Sequence, residues 1–478
     1  MATIDANSTL NIKLNVKPVV FTMYHINAYM GPCRYGEGHA LTTEHDIETS
    51  NRSYEDFKKE VAENLDMRNV NLLEPVLIHW NEDFVIRESE MQKAMADDCR
   101  TDYYLVRGLR MSSHFAVQLA LRTNKPVGFT NPSTVISNVE HVDMTARLWA
   151  LGRRAHAFMD WDDINQTFAV LRTKKALANT KVLFPLKSAV LSVGCQSSYL
   201  TLEHITQRFG TRFGHINSDE VFQWLDALGP EEKQEALDLA DRLAGESAGM
   251  HMPKEYLAND TAFYVTTKKL MRQHDCNAFT IPCFEICATR ELQKRKLTFC
   301  LTHSLLKDEG LASSCAGDAG SILSITILIN LARMAPYMGN TMVVDRKANQ
   351  CRILHDVSCA RMKGYDEPAL PVEYVSFTME NWGATMRYDF ARDNGATITL
   401  VNLSPDMKKI MVARGTINGC DNYLVPECKH AVRFTVADAT HFHRCESHVG
   451  HHFAMVYGDH VEKVVQFGRE CDLEVLEA

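Results

Sequence analysis

Residues 17–24 read KPVVFTMY, a short apolar run that is typical of a buried strand. Similar runs follow it in the first third of the chain, at 71–80 (NLLEPVLIHW), 101–108 (TDYYLVRG) and 125–131 (KPVGFTN). The segments between these runs repeat apolar residues at helical spacing, at 54–65, 88–99 and 111–123. Strands that alternate with helices in this way predict a parallel sheet with helices on both faces.

The same pattern starts again near residue 180 and changes near residue 340. Two apolar segments, CNAFTIPCF at 276–284 and KLTFCLTHS at 296–304, are predicted as strands of this second region. After 340 the chain is rich in β-branched runs such as GATITLVNLS and HAVRFTVAD, which indicate a sheet or a barrel. The predicted fold is therefore α/β. It has two Rossmann-like domains with parallel sheets at 1–175 and 176–340, and a β-rich C-terminal domain at 341–478.

Composition excludes several classes of protein. The 478 residues carry a formal net charge of -9, which argues against binding to nucleic acid or to an anionic membrane surface. The longest apolar run, ILSITILINLARM at 322–334, is too short to cross a bilayer. The first residues lack the pattern of a secretory signal, and the 14 cysteines are scattered, so we expect a reduced, cytoplasmic protein. Cys283 and Cys287 lack a second matching pair, which favours buried thiols over zinc ligands.

Four residues in four segments are candidates for a functional site. Asp318 precedes the most apolar helix, in SSCAGDAGSILSITIL at 313–328, where the alternative role is a helix N-cap. Glu285, in PCFEICAT at 282–289, follows a predicted strand and is otherwise a surface carboxylate. His355 lies in RILHDVS, and His452 lies in HVGHHFAMVYGDH at 448–460, and each is alternatively a histidine with a purely structural role.

Taken together, two carboxylates and one imidazole with open coordination positions suit a hard divalent ion such as Mn²⁺ or Mg²⁺. Such a site chelates two neighbouring substrate oxygens and polarises a carbonyl group. A carboxylate beside it then takes a proton from the carbon next to that carbonyl. These are the requirements of an aldose–ketose isomerase that works through an enediol.

Over roughly the C-terminal 200 positions, the chain resembles the L-fucose isomerase/L-arabinose isomerase superfamily. The segments that carry the resemblance are HHFAMVYGDHVEKVVQFGRECDLEVL at 451–476 and SSCAGDAGSILSITIL at 313–328. The resemblance implies a fucose-type set of metal ligands, formed by Glu285, Asp318 and His452, for Mn²⁺ or another ion such as Co²⁺ or Mg²⁺. The arabinose-type set is broken, because one of its glutamates falls on Ala316 and another near Asp345, while its other histidine falls near His355.

The resemblance also implies a mechanism and an assembly. Glu285 and Asp318 are expected to move a proton between C1 and C2 of a free, non-phosphorylated sugar, and which of them is the base stays open. Substrate contacts are expected from Arg34, His355, His451 and Trp382. His441, His443 and His460 are expected to be structural. A homo-oligomer with active sites near the subunit interfaces is expected, with a sugar as the small-molecule partner.

Substrate and activity both have alternatives at this point. The candidates are sugars related to L-fucose and D-arabinose, or sulfoquinovose, a glucose with a sulfonate at C6 that is linked to a smaller branch of fucose-isomerase-like proteins. Arg34, Arg107 and Arg110 are the candidates for binding such a terminal anion. A non-catalytic sugar-binding or regulatory protein remains an alternative. So does a metal-dependent epimerase or aldolase that shares the enediol.

Overall fold

The structure is a computed structural model. It describes residues 3–25, 38–81, 85, 87–109, 112, 114–130, 135–187, 202–377, 381–422 and 430–478. The chain divides into two compact units, one of them Lys13–Arg172 and the other Met1–Ile12 with Thr173–Ala478. The predicted fold class is confirmed, because two parallel sheets precede a β-rich C-terminal region. The three domain boundaries drawn from the sequence stay a prediction. Among the described residues, no helix combines the length and apolar character needed to cross a membrane.

The unit Lys13–Arg172 is built on one parallel sheet. Its strands are β1 (Leu14–Tyr24), β2 (Val70–Leu72), β3 (Val76–Asn81), β4 (Tyr103–Gly108), β5 (Val127–Phe129) and β6 (Ala155–Ala157). Its helices are α1 (Thr43–Asn64), α2 (Glu88–Met95), α3 (His114–Arg122), α4 (Val135–Ala150) and α5 (Trp161–Ala178), which runs past the unit boundary. The strand order is β2-β1-β4-β5-β6, and β3 also pairs with β1. Residues Val16–Met23 of β1 are all buried, as expected for a strand covered on both faces.

The other unit contains a parallel sheet followed by antiparallel strands. Its strands are β7 (Lys181–Leu186), β8 (Arg212–Asn217), β9 (Gly249–His251), β10 (Ala278–Thr280), β11 (Ala312–Ser314), β12 (Tyr337–Asp345), β13 (Gln350–Leu354), β14 (Glu373–Val375), β15 (Thr385–Arg387), β16 (Thr397–Leu403), β17 (Lys409–Asn422), β18 (His430–Thr435), β19 (His452–Tyr457) and β20 (Glu474–Glu477). Its remaining helices are α6 (Leu202–Phe209), α7 (Ser218–Asp226), α8 (Pro230–Glu246), α9 (Lys254–Gln273), α10 (Cys283–Ala288), α11 (Glu291–Arg295), α12 (Cys300–Asp308), α13 (Ala319–Ala332), α14 (Ala439–Val449) and α15 (Val461–Glu470).

Pairing in this unit forms three sheets. The parallel sheet has the order β11-β10-β7-β8, and β9 with β14 and β15 forms a small separate sheet. The antiparallel strands pair in the order β16-β19-β12-β13-β18-β17-β20, and β16 also pairs with β17. This last pairing closes a ring of six strands, so the barrel-like arrangement expected after residue 340 is present.

Two predicted strands are wrong in extent or in kind. Within 276–284 only Ala278–Thr280 is a strand, and helix α10 starts at Cys283. The segment 296–304 contains no strand, because helix α12 starts at Cys300. Residues Cys300–Lys307 are all buried, so the segment lacks the polar face that reveals a helix by its period.

A fully buried carboxylate joins α9 to two segments that are distant in sequence. Asp260 accepts hydrogen bonds from the backbone N–H groups of Thr298, at 2.7 Å, and Ala384, at 2.6 Å. Gly383 packs against the same backbone with φ +67°, and a Cβ placed there would contact the Thr298 side chain and lie 2.8 Å from the Thr298 nitrogen. The close approach of these two segments therefore requires glycine at position 383.

We expect Gly383→Ala to lower the free energy of unfolding by about 2–4 kcal/mol, because the clash with backbone adds to the cost of a left-handed alanine. Gly395→Ala is the matched control, since Gly395 has φ +89° and a Cβ added there would meet nothing within 4 Å. It should cost only about 1–2 kcal/mol. Urea unfolding measures both, and equal losses would show that the close approach at Gly383 is unimportant.

Candidate active site

Asp318 is held in place by the backbone that precedes it. Ala316 and Gly317 have φ values of +60° and +68°, so the chain turns sharply between β11 and α13. Asp318 then caps α13, with its Oδ1 accepting from the Ser321 N–H at 3.0 Å and its Oδ2 accepting from the Ser321 hydroxyl at 2.8 Å. The N-cap role considered from the sequence is confirmed, and it orients the carboxylate.

His452 meets this carboxylate directly. Its Nδ1 lies 2.8 Å from Oδ2 of Asp318, and the two side chains are only 7% and 6% exposed. A carboxylate accepts hydrogen bonds, so Nδ1 is the donor and the ring orientation is fixed by the contact. His452 is the first residue of β19, and Asn340 of β12 is its partner in the pairing register. The structure thus brings together two of the three predicted metal ligands, from positions 134 residues apart.

A cavity of about 610 Å³ opens beside this pair. It is lined by Cys283, Phe284, Cys287, Ala288, Arg290, Leu292, Gln293, Thr298, Phe299, Cys300, Cys315, Ala316, Asn340, His355, Phe377, Trp382, His451 and His452. The volume is in the range of sites that enclose a small molecule, and aromatic walls with a few polar groups are typical of such sites. Three residues predicted to contact substrate, His355, His451 and Trp382, all line it.

The cavity histidines are close together and poorly solvated. The ring centroids of His452 and His355 are 5.9 Å apart, and those of His451 and His452 are 4.6 Å apart. Burial lowers the pKa of His355 well below its usual value, and electrostatic interactions with His452 and then Lys307 lower it further. Desolvation and then His452 also lower the pKa of His451. Both rings are therefore neutral at pH 7. The Asp356 N–H donates to Nδ1 of His355 at 3.1 Å, so its Nε2 carries the proton.

Glu285 has a different environment from the one its sequence position predicted. Strand β10 ends at Thr280, and Glu285 is a half-buried residue of helix α10. It does not belong to the set of cavity-lining residues. In the described part of the chain, a cluster of three potential metal ligands has its ligand atoms within 4.8 Å of one another. It consists of His39, His45 and Glu48, which belong to the other unit. The roles of Glu285 as a metal ligand and as an acid or base stay predictions.

Asn340 and Arg290 line the cavity but were not predicted from the sequence. The Oδ1 atom of Asn340 is buried and accepts no hydrogen bond from the described residues. An amide within the largely apolar segment YMGNTMVVD was the signal that could have found it. Arg290 is exposed at the cavity with φ +61°, and no residue of the described chain forms an ion pair with it.

Of the three arginines proposed from the sequence as anion-binding residues, one lies within the described residues. Arg34 and Arg110 lie outside the described residues. Arg107 already has a partner, because its Nη2 lies 2.7 Å from a carboxylate oxygen of Glu60 and its guanidinium stacks on Phe57. The charge of Arg107 is therefore largely neutralised within its own unit.

Comparison with known proteins finds distant relatives. No protein-family model matches the chain. The sulfoquinovose isomerases of Priestia aryabhattai and Priestia megaterium are each 24% identical to it over 364 residues, which covers 74% of this chain and 76% of each relative. The chain is thus distantly related to that enzyme family. The wider resemblance to the L-fucose isomerase/L-arabinose isomerase superfamily stays a prediction.

The segment that follows His355 is held by the end of helix α12. Lys307, fully buried, donates from Nζ to the Val357 carbonyl at 3.0 Å. Asp308 accepts from the N–H groups of Ala360, at 2.9 Å, and Arg361, at 2.7 Å. Burial raises the pKa of Asp308 from 3.8 to about 6, despite the lowering effect of these hydrogen bonds.

This pKa predicts a specific dependence of stability on pH. Between pH 3.8 and about 6 the unfolded chain has lost the Asp308 proton while the folded chain keeps it, so stability falls as pH rises. Relative to Asp308→Asn, the wild type should lose up to about 3 kcal/mol of unfolding free energy across that window. Chemical unfolding at a series of pH values measures the difference. Asp366→Asn, at an exposed position nearby, is the control and should follow the wild type. A constant difference between wild type and Asp308→Asn would contradict the prediction.

Proposed function

We propose that this protein is a metal-dependent aldose–ketose isomerase that acts on a free sugar through a cis-enediol. The observation that carries the proposal is the buried Asp318–His452 pair beside a cavity of about 610 Å³ lined by neutral imidazoles. The distant sulfoquinovose isomerases support the reaction class. They also favour a 6-sulfonated hexose, converted from sulfoquinovose to sulfofructose, over a sugar related to L-fucose or D-arabinose.

The groups beside the cavity suit a hard divalent ion such as Mn²⁺. Asp318 offers a carboxylate, His452 an imidazole, and Asn340 a buried amide oxygen that accepts nothing from the described residues. Oxygen donors with one imidazole are the preferred surroundings of such ions. An ion held by Asp318 and His452, with Glu285 as the predicted third ligand, would polarise the oxygens at C1 and C2 of an open-chain sugar.

The predicted acid and base, together with the side chains of the cavity, supply the rest of the chemistry. A carboxylate, Asp318 or Glu285, takes the proton from C2 and returns it to C1. His355 is neutral and presents an Nε2–H that donates to a sugar hydroxyl. The aromatic residues Phe284, Phe299, Phe377 and Trp382 cover the apolar face of the sugar. By excluding water, they slow exchange of the migrating proton with solvent.

Two cations support an anionic substrate. Arg290 lines the cavity, and Lys296 lies with its Nζ 5.3 Å above the Trp382 ring that also lines it. In the described chain, neither cation forms an ion pair, whereas two basic residues between them do. Arg295 is paired with Asp226 and Glu291, and Lys294 with Glu291. A sulfonate near Arg290 would gain a charge-assisted hydrogen bond without displacing an internal partner.

We expect the purified protein to convert one aldose to its ketose in a metal-dependent manner. NMR of sulfoquinovose, L-fucose, D-arabinose, L-arabinose and glucose, each with Mn²⁺ and with EDTA, measures this. His452→Gln should lower turnover by at least about 10²-fold, because the site loses its imidazole. His443→Gln is the matched control from the same histidine-rich region, since His443 is 70% exposed and outside the cavity.

Other outcomes distinguish the alternative functions. Exchange of the C2 proton with solvent deuterium without ketose would favour an epimerase. Sugar binding without exchange or ketose formation would favour a non-catalytic binding protein. Equal turnover of His452→Gln and His443→Gln would contradict the assignment of the site.

We expect Arg290→Gln to raise KM for sulfoquinovose at least about tenfold, because a charge-assisted hydrogen bond is worth about 1.5–3 kcal/mol. Turnover of glucose, which lacks the anion, should change less than about twofold. Lys294→Gln is the control, because Lys294 lies on the short helix that follows Arg290 but not in the cavity lining. An equal loss of activity with sulfoquinovose and with glucose would show that Arg290 does not recognise the sulfonate.

A further inference from the structure

The cavity wall is rich in sulfur. Cys283, Cys287, Cys300 and Cys315 all line it. The structure gives each of them as a thiol, and Sγ of Cys283 lies 3.7 Å from Sγ of Cys315. Neither the distant relationship to isomerases nor the proposed reaction assigns these thiols a role.

The fold explains why this pair meets although 32 residues separate it. Strands β10 and β11 are parallel neighbours, with Ala278 opposite Ala312 and Thr280 opposite Ser314. Cys315 follows β11 directly, and Cys283 comes three residues after β10 ends. The carboxyl ends of paired parallel strands lie at the same edge of a sheet, so both thiols arrive at the cavity from the same side.

We propose that Cys283 and Cys315 form a redox-active dithiol in the cavity wall, which a hydroperoxide closes to a disulfide and a low-molecular-weight thiol reopens by thiol–disulfide exchange. The sulfur atoms need to approach from 3.7 Å to about 2.05 Å. Cys283 is half-buried and faces the cavity, so a small oxidant reaches it, whereas Cys315 is only 4% exposed. This exposure difference makes Cys283 the first thiol to react.

The oxidation balances with the hydroperoxide as its co-reactant, and in the reduction two external thiols become a disulfide as the two protein thiols are restored. The sulfur of Cys283 attacks the peroxide O–O bond, which gives a sulfenic acid and releases water or an alcohol. The sulfur of Cys315 then attacks the sulfur of Cys283, forming the S–S bond and breaking the S–O bond, and the oxygen leaves as a second water. Two thiols are oxidised by two electrons, and one hydroperoxide is reduced.

Formation of the disulfide would affect Asp318, the residue on which the site depends. Cys315 begins the turn through Ala316 and Gly317 that presents Asp318 to His452. Movement of Cys315 toward α10 would displace this turn and change the shape of the cavity wall. Oxidation should therefore lower binding or turnover in the cavity, and reduction should restore it.

The first experiment uses intact protein and does not depend on the isomerase activity. Wild-type protein is treated with hydrogen peroxide, alkylated with N-ethylmaleimide, digested and mapped by mass spectrometry. We expect a peptide pair joined through Cys283 and Cys315 that separates after dithiothreitol. Cys283→Ser should abolish the linked pair. Cys287→Ser is the matched control and should retain it, because Cys287 lies on the same helix, is exposed and lines the same cavity.

A second probe tests the dithiol without an oxidant. Phenylarsine oxide forms two As–S bonds with a pair of close thiols and releases water. We expect one adduct on the wild type and on Cys287→Ser, and none that survives monothiol washing on Cys283→Ser. The proposal is overturned if the arsenical is retained by Cys283→Ser, or if peroxide yields only sulfinic acid or a disulfide between other cysteines. The proposed isomerase activity, measured in parallel, should fall with oxidation and recover with dithiothreitol in the wild type.

Discussion

The hydrogen bond between Asp318 and His452 is the contact on which the cavity depends. It joins the N-cap of α13, which follows the parallel sheet, to the first residue of β19 in the antiparallel ring. Both groups are buried, so separating them would remove a hydrogen bond to a carboxylate from a poorly solvated place. A buried polar contact therefore joins the start of apolar helix α13 to the ring of strands beside the cavity.

Burial also determines which charges the cavity contains. His355 and His451 have lowered pKa values, so they offer neutral nitrogen atoms rather than positive charge. Lys307, which is fully buried, donates to a backbone carbonyl and contributes to the low pKa of His355. Positive charge is then available to a ligand from Arg290, an exposed residue of the cavity lining. A cavity with neutral donors inside and a cation at its exposed side is suited to a polyhydroxylated molecule with one anionic end.

The sequence predicted the fold well where an apolar run was long enough, or bounded clearly enough, to distinguish a strand from a helix. Strand β1 and helix α13 were recognised because each is apolar over nearly its whole length and has the length typical of its kind. The strand predicted at 296–304 was wrong, since a helix buried on every side has no polar face to reveal its period. The same ambiguity extended the strand at 276–284 beyond Thr280, and this error placed Glu285 at a strand end that does not exist.

The candidate site was predictable only where short segments carried a family resemblance. That resemblance selected Asp318 and His452, and the structure places them in contact. The resemblance did not single out Asn340 or the thiols of Cys283 and Cys315, because register and strand order bring these residues to the cavity. A physical rule does connect the two thiols. In a parallel sheet, the residues that follow neighbouring strands meet at one edge, so the positions after β10 and β11 belong together.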